Sequence, residues 1–155
     1  MSNDLKFKIS HKITEDNSSN FTIKPLDRGY GITVGNSLRR ALLTAVPGAA
    51  ITNVKIEGAH HEFSTIEGVT EDVADVIMNL KGVRFHLFES SVEPIFLKVK
   101  GPKAFTAADI QAASNDFTIL NPDHYITDIA KGTTLEVELR LGIGKGYKSS
   151  EENKL

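Results

Sequence analysis

Thr70-Glu71-Asp72-Val73-Ala74-Asp75-Val76-Ile77-Met78-Asn79-Leu80-Lys81-Gly82 is the strongest helical stretch of the sequence, and its surroundings decide the fold. Val73, Val76, Ile77 and Leu80 recur at i, i+3, i+4 and i+7, the spacing of one helix face. Thr70 stands where an N-cap is expected, Glu71 and Asp72 suit the positive end of the helix dipole, and Lys81-Gly82 close the helix. Downstream, residues 83–88, 95–100, 117–120 and 134–141 read as strands. They are separated by Pro94, Gly101-Pro102, a short turn or helix over 107–113, and Asn121-Pro122. Upstream, residues 51–57 alternate through Ile51, Val54 and Ile56.

Nearer the N-terminus, residues 4–14 and 21–23 alternate apolar and polar around a polar loop at 15–20, the pattern of a hairpin with one wet face. A glycine-marked loop at 26–31 leads to a helix over 34–46, stopped by Pro47-Gly48. Residues 142–155 are polar and Gly-rich, and Gly142, Gly144 and Gly146 read as a turn or a flexible exit from the last strand. Strands outnumber crossover helices, so the fold class is α+β: a hairpin-plus-helix unit followed by a mixed, mostly antiparallel α+β subdomain. No internal repeat is visible.

The 155 residues, 40% hydrophobic and 25% charged, suit one globular domain or two small ones. Without cysteine there is no disulfide framework, thiolate metal site or cysteine nucleophile. No apolar run reaches the ~20 residues of a membrane span, and the first residues lack the apolar stretch of a signal peptide, so the cytoplasm is expected. Residues 1–50 carry seven Lys/Arg against four Asp/Glu, residues 51–102 five against eight, and residues 103–155 six against eight, which sums to the net charge of -2. A boundary near Pro47-Gly48 would divide a basic unit from an acidic one. Arg28, Arg39, Arg40 and the lysines between 6 and 24 are the residues a direct nucleic-acid contact would need. So mild a balance argues against it, since such modules concentrate basic charge on one face.

At 100 degrees per residue, Val34, Leu38, Ala41, Leu42, Leu43, Ala45 and Val46 cover roughly 200 degrees of the 34–46 helix. Covering one sheet takes only ~100 degrees. The surplus asks for a second partner, a helix or another chain, and points to oligomerisation. Arg39 falls inside the apolar arc and Arg40 at its polar margin beside Ser37 and Thr44. An arginine in such an arc is a candidate for an interface ion pair, or else a surface residue whose stem covers apolar area.

Catalytic patterns are weak. Gly29, Gly31 and Gly35 are one residue too widely spaced for a dinucleotide fingerprint, and Gly144-Lys145 lacks the rest of a phosphate loop. His60-His61-Glu62 is the one metal-like cluster, but on a strand the two histidines would diverge. His11, His86 and His124 are isolated, and Glu71-Asp72 read as helix-start residues. No catalytic site, metal or cofactor is expected on the chain.

Nine short motifs carry a resemblance. Lys24-Pro25-Leu26-Asp27-Arg28-Gly29-Tyr30-Gly31, then Val34-Gly35-Asn36-Ser37-Leu38-Arg39-Arg40-Ala41-Leu42-Leu43, begin it. Val54 to Gly58, His61-Glu62-Phe63-Ser64-Thr65 and Gly68-Val69-Thr70-Glu71-Asp72 extend it. Asn79-Leu80-Lys81-Gly82, Gly101-Pro102, Thr106 to Ile110 and Gly144-Lys145-Gly146-Tyr147 complete it. In this order, over residues 20–148, the sequence resembles the N-terminal domain of the bacterial RNA polymerase alpha subunit.

The resemblance implies an assembly scaffold, a non-catalytic subunit of DNA-directed RNA polymerase that forms a homodimer and recruits the beta and beta prime subunits. It implies a dimer interface at Val34, Leu38, Ala41, Leu42 and Ala45. Contacts to the large subunits are implied at Arg39, Arg40, Leu43, His61, Glu62, Ser64 and Lys81, with Gly29, Gly31 and Gly35 shaping the loop that enters the first helix. Domains of this family are longer, returning to the first unit after the Gly-x-Gly-Tyr motif. The sequence is accordingly expected to be a truncated piece: an incomplete dimerisation unit at 1–48, an inserted α+β subdomain at 49–148 and a polar tail at 149–155.

Overall fold

A computed structural model describes residues 7–15, 18–88 and 93–154. The chain forms two compact units, residues 1–45 and 46–155. In the first unit, β1 (Lys8–Glu15) and β2 (Ser18–Lys24) make an antiparallel hairpin, and α1 spans Tyr30–Ala45. Ile9 faces Ile23, and His11 faces Phe21 with the rings stacked at 4.7 Å, so the alternating apolar residues share one hairpin face. The helix starts earlier than the apolar periodicity at 34–46 suggested. Gly29, at φ 91, turns the chain, and Tyr30 N–H bonds to the Asp27 carbonyl at 3.1 Å. Of the three glycines expected in the entry loop, only Gly29 lies there; Gly31 and Gly35 are inside the helix, where glycine is tolerated at a cost.

The second unit holds the core. Its antiparallel sheet has the order β5-β9-β3-β4-β7, from β3 (Pro47–Ile56), β4 (Phe85–Leu87), β5 (Ile95–Lys100), β7 (Phe117–Ile119) and β9 (Thr134–Lys145). Leu135, Val137 and Leu139 of β9 stand opposite Val99, Leu97 and Ile95 of β5, all buried. On the other face Lys98 bonds to Glu136 at 2.9 Å. This is the alternation of a sheet with one dry side. Val73, Val76 and Leu80 of α2 (Val73–Lys81) and Ile110 of α3 (Ala107–Gln111) join the same core, with Phe105, Phe117 and Ile126 among its fully enclosed side chains.

A second sheet of β6 (Lys103–Thr106) and β8 (Tyr125–Ile129) has no counterpart in the expected elements. A register shift at Phe105/Thr106 breaks the alternation, and in β8 the adjacent Ile126 and Thr127 are both buried, so neither strand shows a clean period of two. The Gly142-Ile143-Gly144-Lys145 segment is not an exit from the last strand; it continues β9, pairing through to Pro47↔Lys145. Pro47 opens β3 as well as stopping α1, a position where its missing N–H is tolerated. The N-cap of α2 is Asp72, whose carboxylate accepts from Asp75 N–H at 2.8 Å, while Thr70 N–H bonds to Asp128 O at 3.0 Å. Gly101 is fixed by close approach: a Cβ there would sit 2.1 Å from the Ala130 carbonyl oxygen.

Candidate partner-binding surfaces

Along α1, Val34, Leu38, Ala41, Leu42 and Ala45 fall at i, i+4, i+7, i+8 and i+11, one stripe of the helix. None is buried: Val34 is half-buried, and Leu38 and Leu42 are 47% and 67% exposed. Leu43, beside the stripe, is 64% exposed. Ile9, Ile13 and Phe21 of the hairpin are open as well. The described residues of the first unit therefore carry two apolar faces and no buried side chain. Uncovered faces of this extent mark interaction surfaces in soluble proteins.

The arginines sit differently on α1. Arg39 is engaged on its own helix, donating from Nε and Nη2 to Asn36 Oδ1 at 3.3 and 3.1 Å. Arg40 lies on the polar side, where Ser37 and Thr44 hydroxyls bond back to the Thr33 and Arg40 carbonyls. Its guanidinium makes no hydrogen bond or ion pair among the described residues and stays open to a partner. In the isolated chain, Leu42→Ala is expected to shift unfolding by under about 1 kcal/mol in a urea titration, because the side chain is already wet. The larger cost of an enclosed leucine, about 2 to 5 kcal/mol, would emerge only once that face is covered.

His61, Glu62 and Ser64 share the loop between β3 and α2. The His61 N–H donates to Ser64 Oγ at 3.1 Å, Ser64 N–H returns to the His61 carbonyl at 3.0 Å, and Ser64 O receives the first helical N–H, that of Val73. This loop is not a strand, so His60 and His61 are set by a tight turn and not by alternation. With Val54, Ile56, Val73 and Ile77 they line a shallow groove. Among the described residues no three of His, Asp and Glu converge as metal ligands. Lys81 is exposed at the far end of α2, about 12 Å along the axis from the Ser64 turn, so the structure does not bring the two expected positions into one cluster.

Sequence reasoning missed what fixes this loop and helix. Gly68 O and Thr70 N–H bond to Ala130 N–H and Asp128 O of the β8 region at 2.7 and 3.0 Å. The Glu71 carboxylate then takes three donors: Tyr125 Oη at 2.8 Å, Thr127 Oγ1 at 2.5 Å and Asp128 N at 3.2 Å. Burial would raise its pKa, but the bonds from Thr127, Tyr125 and the Asp128 backbone outweigh that and hold it below the usual carboxylate value. Burial, with the bond to Glu71, keeps the Tyr125 phenol protonated well beyond its usual range. No local signal announces this clamp, because its partners lie more than fifty positions apart.

Comparison with known proteins places this α+β unit. Residues 54–155 match the family described as the RNA polymerase Rpb3/RpoA insert domain. The chain belongs to that family. Its relatives include the DNA-directed RNA polymerase subunit alpha of Salinibacter ruber, 52% identical over 139 residues, 90% of this chain and 42% of that protein. The subunits alpha of Limosilactobacillus reuteri and Chloroherpeton thalassium are 51% and 48% identical, over 93% and 86% of this chain and 46% and 41% of theirs. The chain thus spans less than half the length of these relatives.

Proposed function

We propose that this chain is an assembly scaffold of bacterial DNA-directed RNA polymerase: the N-terminal region of an alpha subunit that forms a homodimer and recruits beta and beta prime. In this reading it is a non-catalytic, cytoplasmic part of a nucleotidyltransferase complex, with no cofactor and no direct grip on nucleic acid. The open apolar stripe of α1 carries the proposal, since burying those side chains is worth roughly 25 cal/mol per Å² and none of them is buried by the described residues of the first unit. Residues 1–48 would supply the dimerisation unit through Val34, Leu38, Ala41, Leu42 and Ala45, and residues 49–148 the inserted subdomain. Arg39, Arg40 and Leu43 would meet a large subunit from α1, and His61, Glu62, Ser64 and Lys81 from the insert.

The test is capture of purified beta subunit by the tagged chain, wild type beside Arg40→Ala, with each complex sized by light scattering. Stable capture is expected, falling about thirtyfold or more in the variant, the loss typical of an arginine at an energetic centre. Equal capture by both proteins would remove Arg40 from the contact. No capture by folded wild-type chain would sink the beta-recruiting role for this segment.

A further inference from the structure

The last turn of a helix leaves carbonyls without intrahelical donors. At the end of α2, where the Gly82 N–H already closes onto Asn79 O at 2.9 Å, two carbonyls also receive side chains from the β7–β8 connection. His124 Nε2 donates to Asn79 O at 2.8 Å, and Asn121 Nδ2 donates to Gly82 O at 3.0 Å. Asn121 Oδ1 also accepts from Arg84 N at 2.8 Å, and Asn79 Nδ2 reaches Ile126 O at 2.9 Å. A carbonyl can only accept, so the proton of that imidazole bond sits on Nε2. Gly82 makes room for the ring: a Cβ there would lie 2.5 Å from His124 Nε2. Its φ of -76 is open to any residue, so the position requires space and not conformational freedom.

Lys81 stands between the two anchored carbonyls, exposed, with no ion pair among the described residues. Helix ends fray, and a lysine on a fraying end points in many directions. Bonds on both sides of it fix the direction in which its side chain leaves the backbone. We propose that His124 and Asn121 are positioning residues for Lys81, holding the end of α2 so that the ammonium is presented to an acidic or carbonyl-rich surface of a large subunit. This rests on the reading of Lys81 as a large-subunit contact.

A double-mutant cycle on the full chain tests it, with affinity for purified beta and beta prime subunits measured separately by biolayer interferometry. Lys81→Ala is expected to weaken binding to one of them by about tenfold, and His124→Leu by about fivefold. Because His124 acts through Lys81, the double variant should bind no more weakly than Lys81→Ala alone. His124→Gln, whose amide keeps a donor near the Nε2 position, should stay within about twofold of wild type. Should His124→Leu fail to fold, Asn121→Asp replaces it in the cycle, keeping the acceptor for Arg84 N–H and losing the donor to Gly82. Additive losses, or an unaffected positioning variant, would overturn the positioning role while leaving the contact standing. Unchanged binding of Lys81→Ala to both subunits would overturn the contact and the proposal with it.

Discussion

Phe105→Ala should lower the unfolding free energy by about 3 to 5 kcal/mol, the largest loss expected from a single truncation in this chain. The ring is fully enclosed on β6, opposite Thr127 of β8, in the core shared by both sheets and helices of the second unit. Removing it forfeits the transfer energy of the buried ring and leaves a cavity that β6 and β8 can close only by giving up their register. Urea unfolding followed by circular dichroism measures it. A loss below about 1 kcal/mol would show that the site collapses freely or is wet. The contrast with Leu42→Ala matters: two large apolar residues of similar hydrophobicity should differ severalfold because one is enclosed and the other open.

Glu71→Gln comes next, at about 2 to 3 kcal/mol near neutral pH. The amide keeps the shape but only one accepting oxygen, while Tyr125, Thr127 and the Asp128 backbone all offer protons. Thr127 and the Asp128 N–H share one Glu71 oxygen, which a glutamine carbonyl can replace only without its charge, and the Tyr125 hydroxyl, bonded to the other oxygen, would meet an N–H in place of an acceptor. The pH dependence has a definite sign. The folded-state pKa of Glu71 is depressed, so its contribution is present above the unfolded carboxylate value and fades as pH falls through the folded one. The wild-type advantage over Glu71→Gln should therefore be flat well above the ordinary carboxylate value of 4.5 and shrink as pH falls below it. An advantage that persists undiminished at low pH would mean the carboxylate charge is not what the three donors recognise.

Much of the architecture could be read locally. The α2 periodicity, the alternation of β5 and of β9 through Leu141, and the hairpin each depend on side-chain spacing along one segment, and spacing is a property of sequence. The apolar stripe of α1 was equally legible, since it needs only the positions of Val34, Leu38, Ala41, Leu42 and Ala45. The missed elements share one cause. The β6–β8 sheet, the Gly142–Lys145 extension of β9 and the tie of Thr70 to Asp128 are decided by partners brought together from distant positions, and pairing overrides the weak propensity of a Gly-rich or non-alternating segment.

The site divides along the same line. Residue types and spacing by themselves determined an α+β chain, a helix with more apolar surface than one sheet can use, and an ordered motif series that names its family. Only the tertiary structure decided that the Ser64 turn and Lys81 stand at opposite ends of α2. It alone showed that Glu71, Asn121 and His124 hold those ends to the β8 region. The physical reason is that a hydrogen bond needs its partner within about 3 Å, and no rule of spacing says which of the remaining polar residues the folded chain will bring that close.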